Sequence, residues 1–264
     1  QTGSPLVGAG TPVGIPVDVL GVVRDVSTPT IGAYELAVDT AGPVITYTSL
    51  GNTTSTSNRT LSVTVTDASG VPTSGIGLPA IYFRKGVAGP FATTQCSFVS
   101  GSSYNCLIDY TLVTGGGVAP GDVVHYYVAA QDTPGNVSVN PSTGALGLTA
   151  NPPAASTAPT TPSSYLISLS YSSSYTVGSG GTYPSLTNTG GIFEAINAGV
   201  VTGNVTINIV SDLTGETGTV ALNQWAEEGV GNYTLLIKPS GAARAITGTG
   251  SNATVIKLNG ADRV

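Results

Sequence analysis

Val205-Thr206-Ile207-Asn208-Ile209-Val210, Tyr233-Thr234-Leu235-Leu236-Ile237 and Thr254-Val255-Ile256-Lys257-Leu258 decide the fold of this chain. Each is a short β-branched and aliphatic run closed by Gly, Asn, Asp or Pro, the pattern of a buried strand. Ile209 lies 28 residues before Ile237, and Leu236 lies 22 before Leu258. Such steps suit one strand-bearing coil of a solenoid, in which each coil buries its apolar face only against the next. Asn259-Gly260-Ala261-Asp262-Arg263-Val264 follows the third run directly. Nothing in those residues offers a cover, so the last coil is expected to find its next layer elsewhere.

Composition agrees with an all-β chain. Only 8% of the 264 residues are charged, against roughly 25% in an average soluble domain. The 36 Gly and 17 Pro supply the turns that short strands need. The net charge of -6 argues against nucleic acid as a partner, since binding it needs basic charge to release phosphate counterions. There is no methionine, even at position 1, so the chain is expected to be processed or to be an excerpt of something longer. A charged n-region and apolar h-region are missing at the N-terminus, so any signal peptide is expected to be gone already. No apolar run reaches the length of a membrane span.

Three units are expected. Residues 1–40 are too short and too broken by Gly and Pro to fold alone. Residues 41–172 carry strand-like runs at Val44–Tyr47, Thr60–Asp67, Ala80–Arg84, a Cys96/Cys106 hairpin, Asp122–Asp132 and Tyr165–Tyr171. Turn clusters separate them, which argues for a β-sandwich. Within it Val124, Tyr126, Val128 and Ala130 should point inward and His125 outward. The four prolines of Asn151–Ser164 predict a semi-extended linker. In residues 173–264 Ile192, Phe193 and Ile196 share one face of a short helix ending at Gly199, placed to cap the first coil.

Cys96 and Cys106 are the only cysteines and fall near opposite positions of the hairpin. A disulfide is geometrically reasonable and would imply an oxidising, extracellular setting; two reduced core cysteines are the alternative. Asn52, Asn58, Asn136, Asn204, Asn232 and Asn252 head N-glycosylation sequons. Asp67, Asp132 and Asn136 are calcium candidates whose alternative is ordinary turn capping. No catalytic set emerges and no cofactor is expected. His125 is the single histidine, and the carboxylate pairs Glu227/Glu228 and Asp212/Glu216 show no sign of glycosidase spacing.

Asp18 to Glu35, with "PTIGAYE", resembles the closing coil of right-handed parallel β-helix domains in large secreted surface proteins of Bacteroidetes-type bacteria. Thr30 stands where that family usually carries Asp. Related modules sometimes hold calcium at the turns named above. Asp39-Thr40-Ala41 matches the short motif such bacteria O-glycosylate, at Thr40. "SVTVTDASGV", "LPAIYFRKG" and "GDVVHYYVAAQDTPGN" resemble bacterial Ig-like or fibronectin type III-like modules. "TVGSGGTYPSLTNTGGIFEAINAG" resembles the opening of a parallel β-helix, as in those surface proteins and in pectin methylesterases. The resemblance implies an Ig-like β-sandwich followed by the start of a right-handed parallel β-helix, with a detached closing coil at the N-terminus. The esterases' catalytic acids lie on later coils than this chain has.

The function expected from this arrangement is that of an extracellular, cell-surface structural protein, a subunit or repeat of a filament or stalk. Its partners would be copies of itself, joined head to tail, or adjoining repeats of a longer chain. The expected interface is Ile31, Gly32, Ala33 and Tyr34 on one side and Val255, Ile256, Leu258 and Val264 on the other. Two other readings stand beside it: an adhesin segment binding surface glycans or a host surface, and a fragment of a β-helix carbohydrate enzyme.

Overall fold

A computed structural model of the protein describes residues 5–36, 39–248 and 254–264. The chain is all-β, with several separate sheets. Among the described residues it has one short α-helix and one 3-10 turn, Tyr110–Leu112. It divides into two compact units. The first takes the residues up to Leu50 with Ser57–Gly117 and Val124–Ser164. The second takes Gly51–Thr56, Val118–Val123 and Tyr165–Val264.

The first unit and its margins carry β1 (Val44–Thr46), β2 (Arg59–Thr66), β3 (Ala80–Lys85), β4 (Ala92–Gln95), β5 (Ser97–Ser100), β6 (Ser103–Ile108), β7 (Val123–Gln131), β8 (Val137–Asn140), β9 (Leu146–Thr149), β10 (Ala154–Thr157) and β11 (Ser163–Leu166). One antiparallel sheet runs β1–β2–β6–β5, and another runs β7–β3–β4 with β8 also on β7. Strict alternation sets which face is buried. Leu61, Val63 and Val65 of β2 point inward beside Tyr104, Cys106 and Ile108 of β6, while their neighbours face solvent. Leu61 sits opposite Cys106 and Val63 opposite Tyr104. Cys96, just ahead of β5, is bridged to Cys106 across the hairpin.

β7 departs from the alternation. Val124, Tyr126, Val128 and Ala130 are buried, but so are Tyr127, Ala129 and Gln131 on the other face. The reason lies in the stretch the sequence predicts to be a linker. Asn151–Ser164 is not a plain linker: it contains β10, which pairs antiparallel with β9. Ala155 and Ala158 pack with Tyr82, Phe91, Tyr127 and Ala129 over that second face, and the Tyr82 and Tyr127 rings stack at 4.9 Å. Small side chains let the hairpin approach the ring faces. Pro152 and Pro153 lie in the turn ahead of β10, where no ladder N–H is needed. Burial pushes the Tyr127 hydroxyl up to about 12.

The second unit holds β12 (Ser170–Tyr171), β13 (Ser174–Val177), α1 (Ile192–Ala198), β14 (Val200–Val201), β15 (Val205–Ile209), β16 (Leu213–Glu216), β17 (Leu222–Asn223), β18 (Ala226–Glu227), β19 (Leu235–Pro239), β20 (Ile246–Gly248) and β21 (Leu258–Asn259). Every pairing among these strands is parallel: β12–β14–β18, β13–β15–β19, β16–β20 and β17–β21. The four strands β14 to β17 are therefore repeated, in the same order, by β18 to β21.

This corrects the spacing read from sequence. Ile207 pairs with Ile237, so the first two apolar runs do stack on one another. The third does not continue that stack. Leu258 pairs with Leu222 in a different sheet, and Val255 and Ile256 lie in a bend. One layer needs four strand segments and their corners, so it consumes about 30 residues, more than the 22 between two runs that share a layer.

Val205, Ile207 and Ile209 point into a core with Val177, Leu186, Leu213, Leu222, Trp225 and Leu235. Ile192, Phe193 and Ile196 of α1 are buried in it too. The helix stops at Gly199, where any Cβ would collide with the Tyr171 ring. One carboxylate is buried against this core. Glu216 accepts hydrogen bonds from Leu186 N at 3.0 Å, Thr187 N at 2.7 Å, Ser185 Oγ at 2.8 Å and Thr187 Oγ1 at 2.7 Å. It fixes the loop that leads into α1.

Glu216→Ala strips four buried donors of a charged acceptor and is expected to destabilise the second unit by about 3 kcal/mol or more. Trp225, the single tryptophan, reports urea unfolding of that unit by fluorescence; an unshifted midpoint contradicts this role. Cys106→Ser should cost the first unit roughly 2–3 kcal/mol, the constraint lost when so short a loop is opened. Near-ultraviolet circular dichroism of its tyrosines reads that loss, and a wild-type melt from the variant refutes it.

Candidate functional site

Residues 5–36 have an inverted distribution of polarity. Asp18 and Thr30 are buried, whereas Val19 is 67% exposed, Leu20 73%, Val23 72% and Val26 86%. Polar contacts set the shape. The Asp18 carboxylate accepts from Leu20 N and Val22 N through Oδ1 and from Glu35 N through Oδ2, at 2.8–2.9 Å. Glu35 in turn accepts from Thr30 N, at 3.0 Å through Oε2. Arg24 donates to Thr30 O at 3.0 Å and Gly32 O at 2.6 Å and pairs with Glu35 at 3.5 Å. Asp25 caps the next turn by accepting from Ser27 N and Thr28 N.

The N–H donors make the charged forms of these acids the favoured ones. The Glu35 N–H holds Asp18 below the usual carboxylate range, and the Thr28 N–H first among several donors holds Asp25 down to about 2. The clamp therefore keeps its charge well into acid. Outside it lies an open apolar cleft of about 740 Å³, lined by Val13, Ile15, Val23, Val26 and Ile31 among others. Of the residues expected at an interface, Ile31 and Tyr34 are about half exposed, Gly32 adopts a left-handed φ of 140°, and Ala33 O accepts from Val19 N.

The other expected surface belongs to the second unit. No named strand pairs with the outer edges of β18, β19, β20 and β21 among the described residues. Leu235 N of β19 nevertheless donates there to Arg263 O at 2.9 Å, so the C-terminal residues cover part of the edge that the sequence leaves without a cover. Leu258 and Val264 are about half exposed, as is Leu236, which the sequence reading did not single out. Ile256 is also exposed, but Val255 is half-buried and would collide with any side chain at Gly248. The layer is braced from within. Glu227 accepts from Trp225 Nε1 at 3.0 Å and Asn232 N at 2.9 Å, and pairs with Arg263 at 2.8 Å. The Trp225 contact, before the rest, holds its carboxyl below the usual range.

The paired carboxylates considered for chemistry are each engaged by the fold. Glu227 lies on a strand rather than a turn, and Glu228 accepts from Thr54 N at 3.0 Å and Thr54 Oγ1 at 2.5 Å. Asp212 accepts from Ala245 N at 3.0 Å, and Glu216 is the buried bracket described above. His125 lies opposite Arg84 in the β3–β7 ladder and is half-buried, with Nε2 enclosed and lacking a hydrogen-bond partner among the described residues.

Of the calcium candidates, the fold brings Asp67 and Asp132 to Asp39, a residue the sequence reading noted only beside Thr40. The three carboxylates lie within 4.8 Å of one another. Asp132 is fully buried and accepts from Gly135 N and Asn136 N at 2.6 Å each and from Asn136 Nδ2 at 2.7 Å. Ser69 Oγ donates to Asp39, the main cause of its lowered carboxyl, and Asn136 Nδ2 donates to Asp39 O at 2.9 Å. These are oxygen ligands of the kind calcium takes, yet capping by protein donors accounts for every contact named. Sequence distance hides the grouping, since Asp39 lies far from the two turns it joins.

The sequons differ in accessibility. Asn136 has its amide nitrogen engaged twice, and Asn58 spans Asp109 and Tyr110 N. Asn52, Asn204 and Asn232 are exposed and use only their side-chain oxygens in the contacts seen. Thr40 is exposed; Asn252 lies outside the described residues. No described helix is long and apolar enough to cross a membrane. Compared with protein-family models and with curated proteins, the chain matches none of either.

Burial, and after it Arg84, lowers the His125 pKa from its ordinary value of 6.5. A base depressed in the folded state binds fewer protons there than when unfolded, so its contribution is lost as pH falls through 6.5 towards the lower folded value. Urea midpoints of wild type should drop over that window more than those of His125→Gln. Parallel pH profiles for the two proteins would disprove it.

Proposed function

We propose that this chain is an extracellular structural protein, a subunit or repeat of a cell-surface filament or stalk, and not an enzyme. In this reading the first unit is an Ig-like β-sandwich and the second is the start of a right-handed parallel β-helix. Residues 5–36 are the closing coil, supplied to a second copy or to the adjoining repeat of a longer chain, as in the large secreted surface proteins the sequence resembles. The buried alternation of β2 and β6 supports the sandwich. Four parallel stacks repeated in one order support the β-helix.

One observation carries the assembly. The layer formed by β18 to β21 presents unpaired strand edges with exposed Leu236 and Leu258, and residues 5–36 present an apolar surface with no core of their own. A heterologous contact between two such surfaces propagates into a fibre unless its rotation closes a ring. Five or six aliphatic side chains buried per joint contribute roughly 1.5–3 kcal/mol each before association entropy is charged against them. The Cys96–Cys106 bridge fits an oxidising compartment.

Electron microscopy and sedimentation of the purified protein test the reading. Fibres or rings of regular repeat are expected, and Leu236→Asp, at an exposed position, should abolish them without altering the Trp225 emission of the folded protein. A wild-type protein that stays monomeric at high concentration sinks it.

A further inference from the structure

The two surfaces differ in charge as well as in shape. Residues 5–36 carry three acids, Asp18, Asp25 and Glu35, against one cation, Arg24. Residues 230–264 carry four of the chain's eight cations, Lys238, Arg244, Lys257 and Arg263, against one acid, Asp262. Across the whole β18–β21 layer, residues 226–264, those four cations meet three acids, since β18 and its corner add Glu227 and Glu228. Arg263 is paired with Glu227 and Asp262, so the positive charge of the β19–β21 face is that of Lys238, Arg244 and Lys257. Lys238 and Arg244 are exposed there, and Asp25 is exposed on the N-terminal segment. Carboxylates are ionised at neutral pH, and the donors on Asp18 and Asp25 extend that charge to lower pH.

Resting on the head-to-tail reading, we propose that charge selects the orientation of the joint. The acidic segment of residues 5–36 docks on the basic β19–β21 face of a second copy of this chain. Two segments, or two basic layers, repel each other, which disfavours the symmetric dimers that apolar patches alone would permit. Apolar burial holds the joint; opposite charge chooses which surfaces meet and speeds their encounter. Such steering is screened once the Debye length falls from about 14 Å near 0.05 M salt to about 4 Å near 0.5 M.

The test follows fibre growth by light scattering at 50 and 500 mM NaCl. Wild type is expected to grow about tenfold more slowly at the higher salt. Lys238→Glu with Arg244→Glu should slow growth at least tenfold at 50 mM and invert the salt dependence, because salt then screens a repulsion. Adding Thr11→Lys, at an exposed position by the cleft, to that double variant should restore part of the rate, because the net charge of residues 5–36 then falls from -2 to -1 and the repulsion weakens. Far-ultraviolet circular dichroism and Trp225 emission establish that each variant is folded. Fibre growth that ignores salt, together with a double variant that assembles like wild type, overturns the charge proposal and leaves the filament standing. Wild type that forms no fibre at either salt removes the head-to-tail reading and this proposal with it.

Discussion

A strand paired in parallel on one side still carries a full row of backbone donors and acceptors on the other. That constraint governs the second unit. Each of its layers satisfies the one before and creates the same demand again, so the pattern has no internal reason to stop. Central strands such as β15 meet the demand with neighbours on both sides, and Ile207 is buried between Tyr175 and Ile237. Among the described residues the β18–β21 layer meets it on one side, and on the other only where Leu235 N donates to Arg263 O. An apolar edge left in that condition invites another chain, which is why the proposed assembly rests on the edge rather than on any pocket.

Polar groups do the shaping in a chain with few charges. Glu216 fixes the loop into α1, Glu227 ties Trp225, Asn232 and Arg263 together, and Glu228 holds Thr54. Asp18, Arg24 and Glu35 do the same for the N-terminal segment. In each case a carboxylate gathers backbone N–H groups that the short, irregular strands leave without ladder partners. Such acids are structural, and their engagement explains why pairs that look suggestive in sequence offer no poised acid and base.

Much of this was legible from residue pattern, and the reasons for the rest are physical. The strand run at Thr60–Asp67, the hairpin at Cys96 and Cys106, and the one-face helix at Ile192, Phe193 and Ile196 are local patterns, and local patterns survive in the structure. The stacking partner of Leu258 was not legible, because two apolar runs in one layer and two in successive layers read alike until the corners are counted. The β9–β10 hairpin was hidden by prolines that suggested a linker but occupy its turn. Asp39 joined Asp67 and Asp132 through tertiary structure alone. Glu216 looked like half of an acid pair, since burial of a carboxylate by four donors leaves no trace in spacing.

The N-terminal segment separates form from adhesion. Its outline is drawn by hydrogen bonds among Asp18, Arg24, Thr30, Glu35 and neighbouring backbone, while its grip would lie in the exposed side chains of Val19, Leu20, Val23 and Val26, which make none of those bonds. A protein with an ordinary core cannot vary its adhesive side chains without disturbing its own packing. Here the two sets are disjoint, so the strength of attachment is free to drift over generations while the outline stays constant, much as a key blank keeps its shank whatever teeth are cut in it.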